Sequence, residues 1–511
     1  MFPKAAIFLC VALVYAALAR AQTPTIARIV PAAISPSATT TVAIYGENLR
    51  GAVSLWTSFP TEEIALLEDT KGRPAPDKVE FRIRLRADAT TTPGAVRLAT
   101  TNGVSELRLL GFDNFSSTPM NSERTNFTQA THLKLPGAVD GFCRATISEF
   151  YKVAARRNEI LSVEVIAQRL GSRLDPLVRL LDARGRELIY CADQLGLGGD
   201  AKFNFMAPAA GDYFIEIRDV TYRGGEDFFY RLRAQCSAHG PRDLPTHKMP
   251  LPIQVGDTLE REPNDSPSSA MKLEIPATVF GRFQQPKDRD YYEFAAAAED
   301  RLVIRGATRS LGSPCDLFLR LSRADGTLVA DAEVNGADEG SLTNKFAEAG
   351  KYHLLVEDLN RSGGSNLFYR LSFAKLPPGF ALSVETNRIE AMAGGSFEIK
   401  VNCARRDYDG PIALSLRSAD EGLTLLEGQI AEKKNDTILR PAVGSTLRPG
   451  KIINFEIVGR ADVAGRTVIE RASTAPLLKR QFPRIVWPPE LDGLVALGIK
   501  SAEPSPTKIE Q

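Results

Sequence analysis

The chain has 511 residues, with 63 Lys or Arg against 62 Asp or Glu and a formal net charge of +1 at pH 7. This near-neutral balance offers no electrostatic basis for binding nucleic acid or an anionic membrane surface. At about 100–150 residues per domain, the length predicts about three to five domains.

Residues 1–21 have the features of a secretory signal peptide. The charged start MFPK is followed by the apolar run AAIFLCVALVYAALA and by small residues at Ala19 and Ala21. The run is shorter than the ~20 residues that span a bilayer, which disfavours a membrane anchor. Cys10 lies inside the run and not at its end, which disfavours a lipoprotein. We expect cleavage after Ala21 and an exported protein without a membrane span, periplasmic, at the cell surface or released.

The sequence pattern of residues 25–113 predicts an immunoglobulin-like β-sandwich. Short β-branched runs alternate with Gly, Pro, Asn and Thr turns at close spacing, a pattern typical of antiparallel sandwiches. The opening I-x-x-I-x-P, the segment YGENL at 45–49 and the turn TNGVS at 101–105 resemble an IPT/TIG domain. The resemblance implies an immunoglobulin-like fold for this segment.

The middle of the chain contains one module twice, at 120–236 and at 257–375. LGSRLDPLVRLLDARG of the first copy recurs as LGSPCDLFLRLSRADG in the second, and GDYFIEIRDV recurs as GKYHLLVEDL. Residues 237–256 between the copies are rich in proline and polar residues, which indicates a linker. A tandem module of this kind is a building block that usually binds or spaces and does not catalyse.

Within each copy the pattern predicts β-strands. Tyr352, Leu354 and Val356 alternate with residues of the other face, as a strand with one core face requires. Tyrosines recur at equivalent positions of the two copies, where strand packing in the core is favoured over a stacking platform for glycans or collagen-like chains. These tyrosines are Tyr151, Tyr213, Tyr230, Tyr292, Tyr352 and Tyr369.

The two copies resemble the bacterial pre-peptidase C-terminal (PPC) domain. In the second copy the resemblance rests on EPNDS at 262–266, DYYEF at 290–294 and AGKY at 349–352, in that order. The first copy keeps the strand and the hairpin but has SERTN at 122–126 in place of the first motif. The resemblance implies a jelly-roll-like β-sandwich of the kind attached to secreted peptidases, not itself catalytic.

Oxygen-bearing side chains are concentrated at the start of the second copy. Glu260, Glu262 and Asn264 alternate along the chain, so an extended segment would direct them to one face. A hard cation such as Ca²⁺ takes about six to eight oxygen ligands, and collagen-binding relatives of the PPC family hold calcium through the corresponding segment and aspartates. The alternative is a plain turn at 264–267 with solvated acids. The predicted calcium ligands, in the second copy only, are Glu260, Glu262, Asn264, Asp265, Asp288 and Asp290.

The first copy offers fewer oxygen ligands at the same place. Its loose counterparts are Glu123, Asn126, Asp140 and Glu149. This number falls short of what a hard cation requires. We therefore predict no calcium in the first copy.

No arrangement typical of a catalytic site is found in the sequence. The four histidines are accompanied by neither an HExxH nor a GxSxG motif. A serine peptidase needs a histidine held in contact with a serine and an acid, and a metallopeptidase needs closely spaced histidine ligands. His353 is replaced by Phe214 in the other copy, so that position accepts a plain aromatic ring. We expect that the protein is not an enzyme.

Residues 379–475 predict one more immunoglobulin-like sandwich, from alternating runs and turn spacing. Residues 476–511 are Pro-rich at both ends and are interpreted as a tail. Cys143, Cys191 and Cys236 fall in the first copy, where one disulfide between two of them is possible in an oxidising compartment. Cys315 replaces Leu174 of the other copy, which predicts a buried side chain.

Together these features predict an all-β protein of tandem sandwich domains that is secreted and non-catalytic. The predicted role is binding or adhesion to an extracellular polysaccharide or protein partner, with the oligomeric state left open. The alternative is an accessory or targeting subunit of a separately encoded secreted peptidase or other hydrolase. A spacer that binds nothing is a third interpretation.

Overall fold

The computed structural model describes residues 23–67, 77–87, 94–120, 126–192, 197–238, 256–333, 339–483, 485 and 487–501. The predicted signal peptide and nearly all of the predicted linker lie outside these ranges. The described residues form β-strands, short 3₁₀ turns and one seven-residue α-helix, α1 (Ala475–Gln481). The predicted all-β class is confirmed. No helix in these ranges is long and apolar enough to cross a membrane.

The N-terminal sandwich contains nine strands in two sheets. One sheet has the order β1-β3-β6-β5 and the other β2-β9-β7-β4, with β8 beside β7. Ile44, Phe81 and Leu98 meet in the core between them. The strands are β1 (Arg28–Val30), β2 (Ala33–Ile34), β3 (Thr40–Tyr45), β4 (Ala52–Thr57), β5 (Thr61–Leu67), β6 (Lys78–Leu85), β7 (Gly94–Thr100), β8 (Gly103–Val104) and β9 (Arg108–Phe112).

The first copy of the repeat is a sandwich of two five-stranded sheets. Their orders are β10-β12-β19-β14-β17 and β11-β13-β18-β15-β16. The strands are β10 (Ser117–Pro119), β11 (Thr131–His132), β12 (Gly137–Phe142), β13 (Glu149–Ala155), β14 (Ile160–Ile166), β15 (Pro176–Leu181), β16 (Glu187–Ala192), β17 (Ala201–Met206), β18 (Gly211–Asp219) and β19 (Phe229–Ser237).

The second copy repeats this topology strand for strand. Its sheets have the orders β20-β22-β29-β24-β27 and β21-β23-β28-β25-β26. The register is also repeated, since Tyr151 lies opposite Ile215 in the first copy and Tyr292 opposite Leu354 in the second. The strands are β20 (Thr258–Leu259), β21 (Met271–Leu273), β22 (Ala277–Arg282), β23 (Arg289–Ala296), β24 (Arg301–Ala307), β25 (Leu317–Arg323), β26 (Leu328–Glu333), β27 (Ser341–Lys345), β28 (Gly350–Asp358) and β29 (Phe368–Lys375).

The recurring tyrosines lie in the cores of the two copies. Each of the six is at most 5% exposed, which confirms the core interpretation and is incompatible with a stacking platform. The hydroxyl groups of Tyr292 and Tyr369 are hydrogen-bonded at 2.7 Å, and those of Tyr151 and Tyr230 form the equivalent pair. Cys315 is fully buried, as its alignment with a leucine predicts.

The C-terminal sandwich contains sheets of order β30-β32-β36 and β31-β40-β38-β33-β35, with β39 beside β38 and a separate pair β34-β37. The strands are β30 (Gly379–Val384), β31 (Arg388–Met392), β32 (Ile399–Arg406), β33 (Ile412–Ser418), β34 (Leu423–Thr424), β35 (Gln429–Ile430), β36 (Asp436–Leu439), β37 (Ala442–Val443), β38 (Ile452–Val463), β39 (Arg466–Arg471) and β40 (Val495–Lys500).

Strand β40 corrects the interpretation of residues 476–511 as a tail. It lies between β31 and β38, and the residues VALGI at 495–499 are all buried. The prolines upstream of this run suggested a tail, but burial of a continuous apolar run outweighs the flanking turn residues. The five cysteines beyond the predicted signal peptide are free thiols, so the disulfide left open in the first copy is not formed.

The N-terminal sandwich contacts two other parts of the chain. Its Leu107 and Leu109 share an apolar cluster with Leu478 and Phe482 of the C-terminal segment. On another side, its Ala32 packs with Leu170 and Phe229 of the first copy. Residues far apart in sequence therefore form a continuous packed body around the N-terminal sandwich.

Candidate metal centre

The cluster of acidic residues at the start of the second copy is held together by backbone pairing. Glu260 follows β20, and Asp290 lies near the start of β23. The carbonyl oxygen of Asn264 accepts a hydrogen bond from the backbone N–H of Tyr291 at 2.9 Å. This bond fastens the segment 260–264 alongside β23 and brings its side chains to Asp290.

Four of the six predicted ligands converge there. Carboxylate oxygens of Glu260, Glu262 and Asp290 lie within 4.8 Å of one another. Asn264 is fully buried, its side-chain Nδ2 donates to Glu260 Oε1 at 3.0 Å, and its backbone N–H donates to Glu262 Oε2 at 2.9 Å. The side chains therefore surround one small space.

Asp265 and Asp288 lie beside this group as a pair. Burial is the larger cause that raises the pKa of Asp288 above its ordinary value, and a hydrogen bond with the Asp265 side chain raises it further. Asp288 is buried and also accepts a hydrogen bond from the backbone N–H of Gln284 at 2.6 Å. The structure therefore places all six predicted residues in one neighbourhood but does not place all of them around one point.

Two buried oxygens in the cluster have no hydrogen-bond partner among the described residues. They are Asn264 Oδ1 and Asp290 Oδ1. Leaving a buried polar atom unsatisfied costs about 1–3 kcal/mol, and more when the group is charged. Unsatisfied oxygens next to grouped carboxylates match what a hard cation requires of its ligands. The residues present therefore fit a calcium ion.

The electrostatics of the cluster agree with this chemistry. Burial, followed by the charge of Glu260, raises the pKa of Asp290 to about 10. Burial also raises the pKa of Glu262. Within the described ranges no lysine or arginine forms an ion pair with any of the five predicted carboxylate ligands. Three described basic residues line the same pocket as Asp265 and Asp288 without an ion pair to either of them: Lys287, Arg289 and Arg361.

The raised pKa of Asp290 predicts an unusual pH dependence for the metal-free protein. An acid whose pKa is higher in the folded than in the unfolded state stabilises the fold at low pH, and this stabilisation is lost as the pH rises. Here the loss extends from about pH 4, the unfolded value, towards pH 10. We expect the second copy to melt at a higher temperature at about pH 5 than at about pH 8 in chelator.

Asp290→Asn serves as the reference for this measurement, because other carboxylates also titrate. The difference in melting temperature between wild type and Asp290→Asn should change with pH in chelator. A difference that stays constant would contradict the prediction.

Two residues of the site were not assigned to it from the sequence. Tyr369 donates its hydroxyl proton to Asp290 Oδ2 at 2.5 Å. Tyr292, which is left to donate to the Tyr369 hydroxyl at 2.7 Å, has its own hydroxyl 3.3 Å from Glu260 Oε1. The hydroxyl groups of the two core tyrosines thus contact the carboxylates from the core side of the cluster. The sequence carried no signal for this role, because both tyrosines recur in the first copy as well.

In the first copy, the acidic residue at the position of Asp290 is neutralised by an arginine. Glu149 occupies the place of Asp290, and Arg144 binds it with Nε and Nη2 each at 2.9 Å. Asn126 caps a short 3₁₀ helix, Asp140 binds Arg231, and Glu123 lies outside the described residues. A guanidinium group therefore supplies positive charge where the second copy has uncharged Gln284.

Removing this guanidinium should destabilise the first copy. Arg144→Gln leaves the buried Glu149 carboxylate without its counter-charge, at an expected cost of about 1–3 kcal/mol of unfolding free energy. Chemical denaturation measures the change, with Arg157→Gln on an exposed turn as the matched control. Equal effects of the two substitutions would show that the bond to Glu149 contributes nothing.

Comparisons with known proteins assign no family to the chain. No family model and no curated protein match it. A β-glucuronidase of Bifidobacterium dentium is 11% identical, with a TM-score of 0.21 over 41% of this chain and 39% of that one. Escherichia coli alpha-2-macroglobulin activated by porcine elastase is 11% identical, with a TM-score of 0.15 over 92% of this chain and 43% of that one.

A third solved structure contains the M60 catalytic domain and two CBM51 domains of Clostridium perfringens ZmpB. It is 8% identical, with a TM-score of 0.16 over 66% of this chain and 53% of that one. The chain thus spans between 39% and 53% of the length of these three structures. With scores this low, the likeness carries no statement about function.

Proposed function

We propose that this chain is a secreted, non-catalytic binding protein whose second PPC-like module is stabilised by calcium. The observation that carries the proposal is the pair of buried oxygens without hydrogen-bond partners among the described residues, Asn264 Oδ1 and Asp290 Oδ1. They lie with Glu260 and Glu262 in a cluster of carboxylates that forms no ion pair with a described lysine or arginine.

The residues that would hold the ion are the carboxylates of Glu260, Glu262 and Asp290 and the side-chain carbonyl of Asn264. Asp265 and Asp288 add oxygens from the neighbouring turn. When bound, calcium supplies the positive charge that permits these carboxylates to remain ionised in a partly dry site. The chain's own contribution is to align the oxygens through Tyr292 and Tyr369.

Such an ion would fasten the segment 260–264 to the sandwich that follows it. That segment connects directly to the predicted linker 237–256, so calcium would define the direction in which the second module leaves the linker. Immunoglobulin-like and PPC-like modules arranged in series then present binding surfaces to an extracellular polysaccharide or protein. Because the binding modules would be oriented by the ion, binding should depend on calcium.

The test is an array of glycans and extracellular matrix proteins probed with the chain lacking residues 1–21. We expect at least one specific ligand class, with weaker binding when calcium is removed by chelator. Glu262→Gln should reproduce the effect of chelator, whereas Glu398→Gln, in an exposed pair with Arg440, should not. Failure to bind any component of the array would contradict the binding role and favour a spacer.

A further inference from the structure

A cleft of about 490 Å³ lies between the first copy and the C-terminal segment, remote in sequence from the metal centre. Its walls carry three arginines: Arg173 and Arg223 from the first copy and Arg480 from the last turn of α1. Phe482 of the C-terminal segment closes one side. We propose that this cleft binds a ligand bearing a phosphate, sulfate or carboxylate group, a role that goes beyond the calcium-stabilised binding function proposed above.

The guanidinium groups converge on the cleft from two segments of the chain. Arg173 and Arg223 lie 5.7 Å and 5.4 Å from the centroid of the same ring, Phe228. Arg480 lies on the opposite wall, in the C-terminal segment. This segment is held against the first copy by Phe482, which packs so closely on Gly171 that a Cβ atom at Gly171 would lie 3.1 Å from Phe482 Cε1. The two walls therefore meet only in the folded chain, with positive charge on both.

The positive charge of the three arginines is only partly offset by acidic side chains. Arg223 is oriented by Asp219, through Nε at 3.1 Å and Nη2 at 3.0 Å. Arg173 and Arg480 form no ion pair in the part of the chain that the structure describes. Among the described residues that line the cleft, Asp175 is the single acidic one. Arginine presents planar N–H donors that match the oxygens of phosphate, sulfate and carboxylate groups.

The arginines of the cleft are particular to the first copy of the tandem repeat. The second copy has the same fold but carries Pro314, Ser362 and Leu367 at the positions of Arg173, Arg223 and Phe228. The sandwich therefore does not need these arginines in order to fold. They are found in the copy that faces the C-terminal segment, as expected of residues that serve a site between the two.

The test uses the full chain lacking residues 1–21, at low ionic strength and in chelator, so that the metal centre takes no part. Calorimetric titration with inorganic phosphate and with glucuronate provides the two probes, and chloride at equal ionic strength is the reference. We expect saturable binding that Arg173→Gln and Arg480→Gln each weaken by about tenfold. Arg184→Gln, on an exposed turn of the same copy, should leave it unchanged.

The two probes distinguish the sources of the anion. Comparable binding of phosphate and glucuronate indicates a site for the free oxyanion, and tighter binding of glucuronate indicates an acidic sugar. Binding of neither probe above the chloride reference would overturn the proposal, as would equal binding by Arg173→Gln, Arg480→Gln and the wild type. Glu262→Gln should bind both probes normally, so failure here is separable from failure of the calcium proposal.

Discussion

Replacing Arg231 by alanine is expected to lower the free energy of unfolding by about 3–5 kcal/mol. Arg231 is 1% exposed and binds Asp113 of the N-terminal sandwich and Asp140 of the first copy, each at 2.7 Å. Asp140 also accepts a hydrogen bond from the backbone N–H of Ala32 at 2.9 Å. Without the guanidinium, Asp140 is left buried without a counter-charge and Asp113 keeps only Arg233 among the described basic residues, at 3.5 Å, which is costlier than losing a solvated ion pair.

The second copy supplies the matched control for this prediction. Arg370 occupies the equivalent position in β29 but binds Asp257 of its own module, and its side chain is 27% exposed. We expect Arg370→Ala to cost less, because it removes the counter-charge of one buried carboxylate, Asp257, where Arg231→Ala affects two. Chemical denaturation of both variants measures the two losses. Similar losses would contradict the view that Arg231 couples two domains through a desolvated ion network.

Removing calcium is expected to lower the melting temperature of the second copy by about 10–20 °C. An ion present at about 100 times its dissociation constant stabilises the folded state by about 2.7 kcal/mol, and each kcal/mol shifts the melting temperature of a small domain by about 4–8 °C. Differential scanning calorimetry with and without chelator measures this shift. A melting temperature that is indifferent to calcium would refute the site.

Asp290→Asn sharpens this test, because it should have opposite effects in the two conditions. It removes a buried acid that is costly to ionise, so the metal-free protein should be at least as stable as the wild type. It also removes a ligand, so calcium should no longer raise the melting temperature. A variant that merely misfolded would be less stable in both conditions. Glu398→Gln, on the surface of the C-terminal sandwich, should respond to calcium as the wild type does.

The all-β class and the duplicated topology were accessible from the sequence because their determinants are local or periodic. Alternation of apolar residues reports which strand face is buried, and recurrence of the same motifs reports that the pattern is used twice. The candidate ligands could be named for a similar reason. Glu260, Glu262 and Asn264 alternate within five residues, and Asp290 begins a strand that is visible in the pattern.

The contacts between distant segments could not be predicted in this way. Arg231 and Asp113 are 118 residues apart, and nothing in the local pattern of either residue names the other. Strand β40 was not predicted, because the prolines before it are typical of a tail. Its position beside β31 and β38 depends on backbone hydrogen bonds to strands far upstream. The tyrosine contacts with the acidic cluster were missed because a tyrosine on a core face has the same pattern whether or not its hydroxyl holds a carboxylate.

Residue pattern alone thus indicated the all-β class, the repeat and the oxygen-bearing residues near the start of the second copy, since these depend on neighbours along the chain. Folding in three dimensions decided which acids form an ion pair, with Arg144 in one copy and with no described lysine or arginine in the other. It also decided where arginines from separate segments face one another. The physical reason is that burial and charge compensation depend on distance in space, which the order of residues does not encode locally.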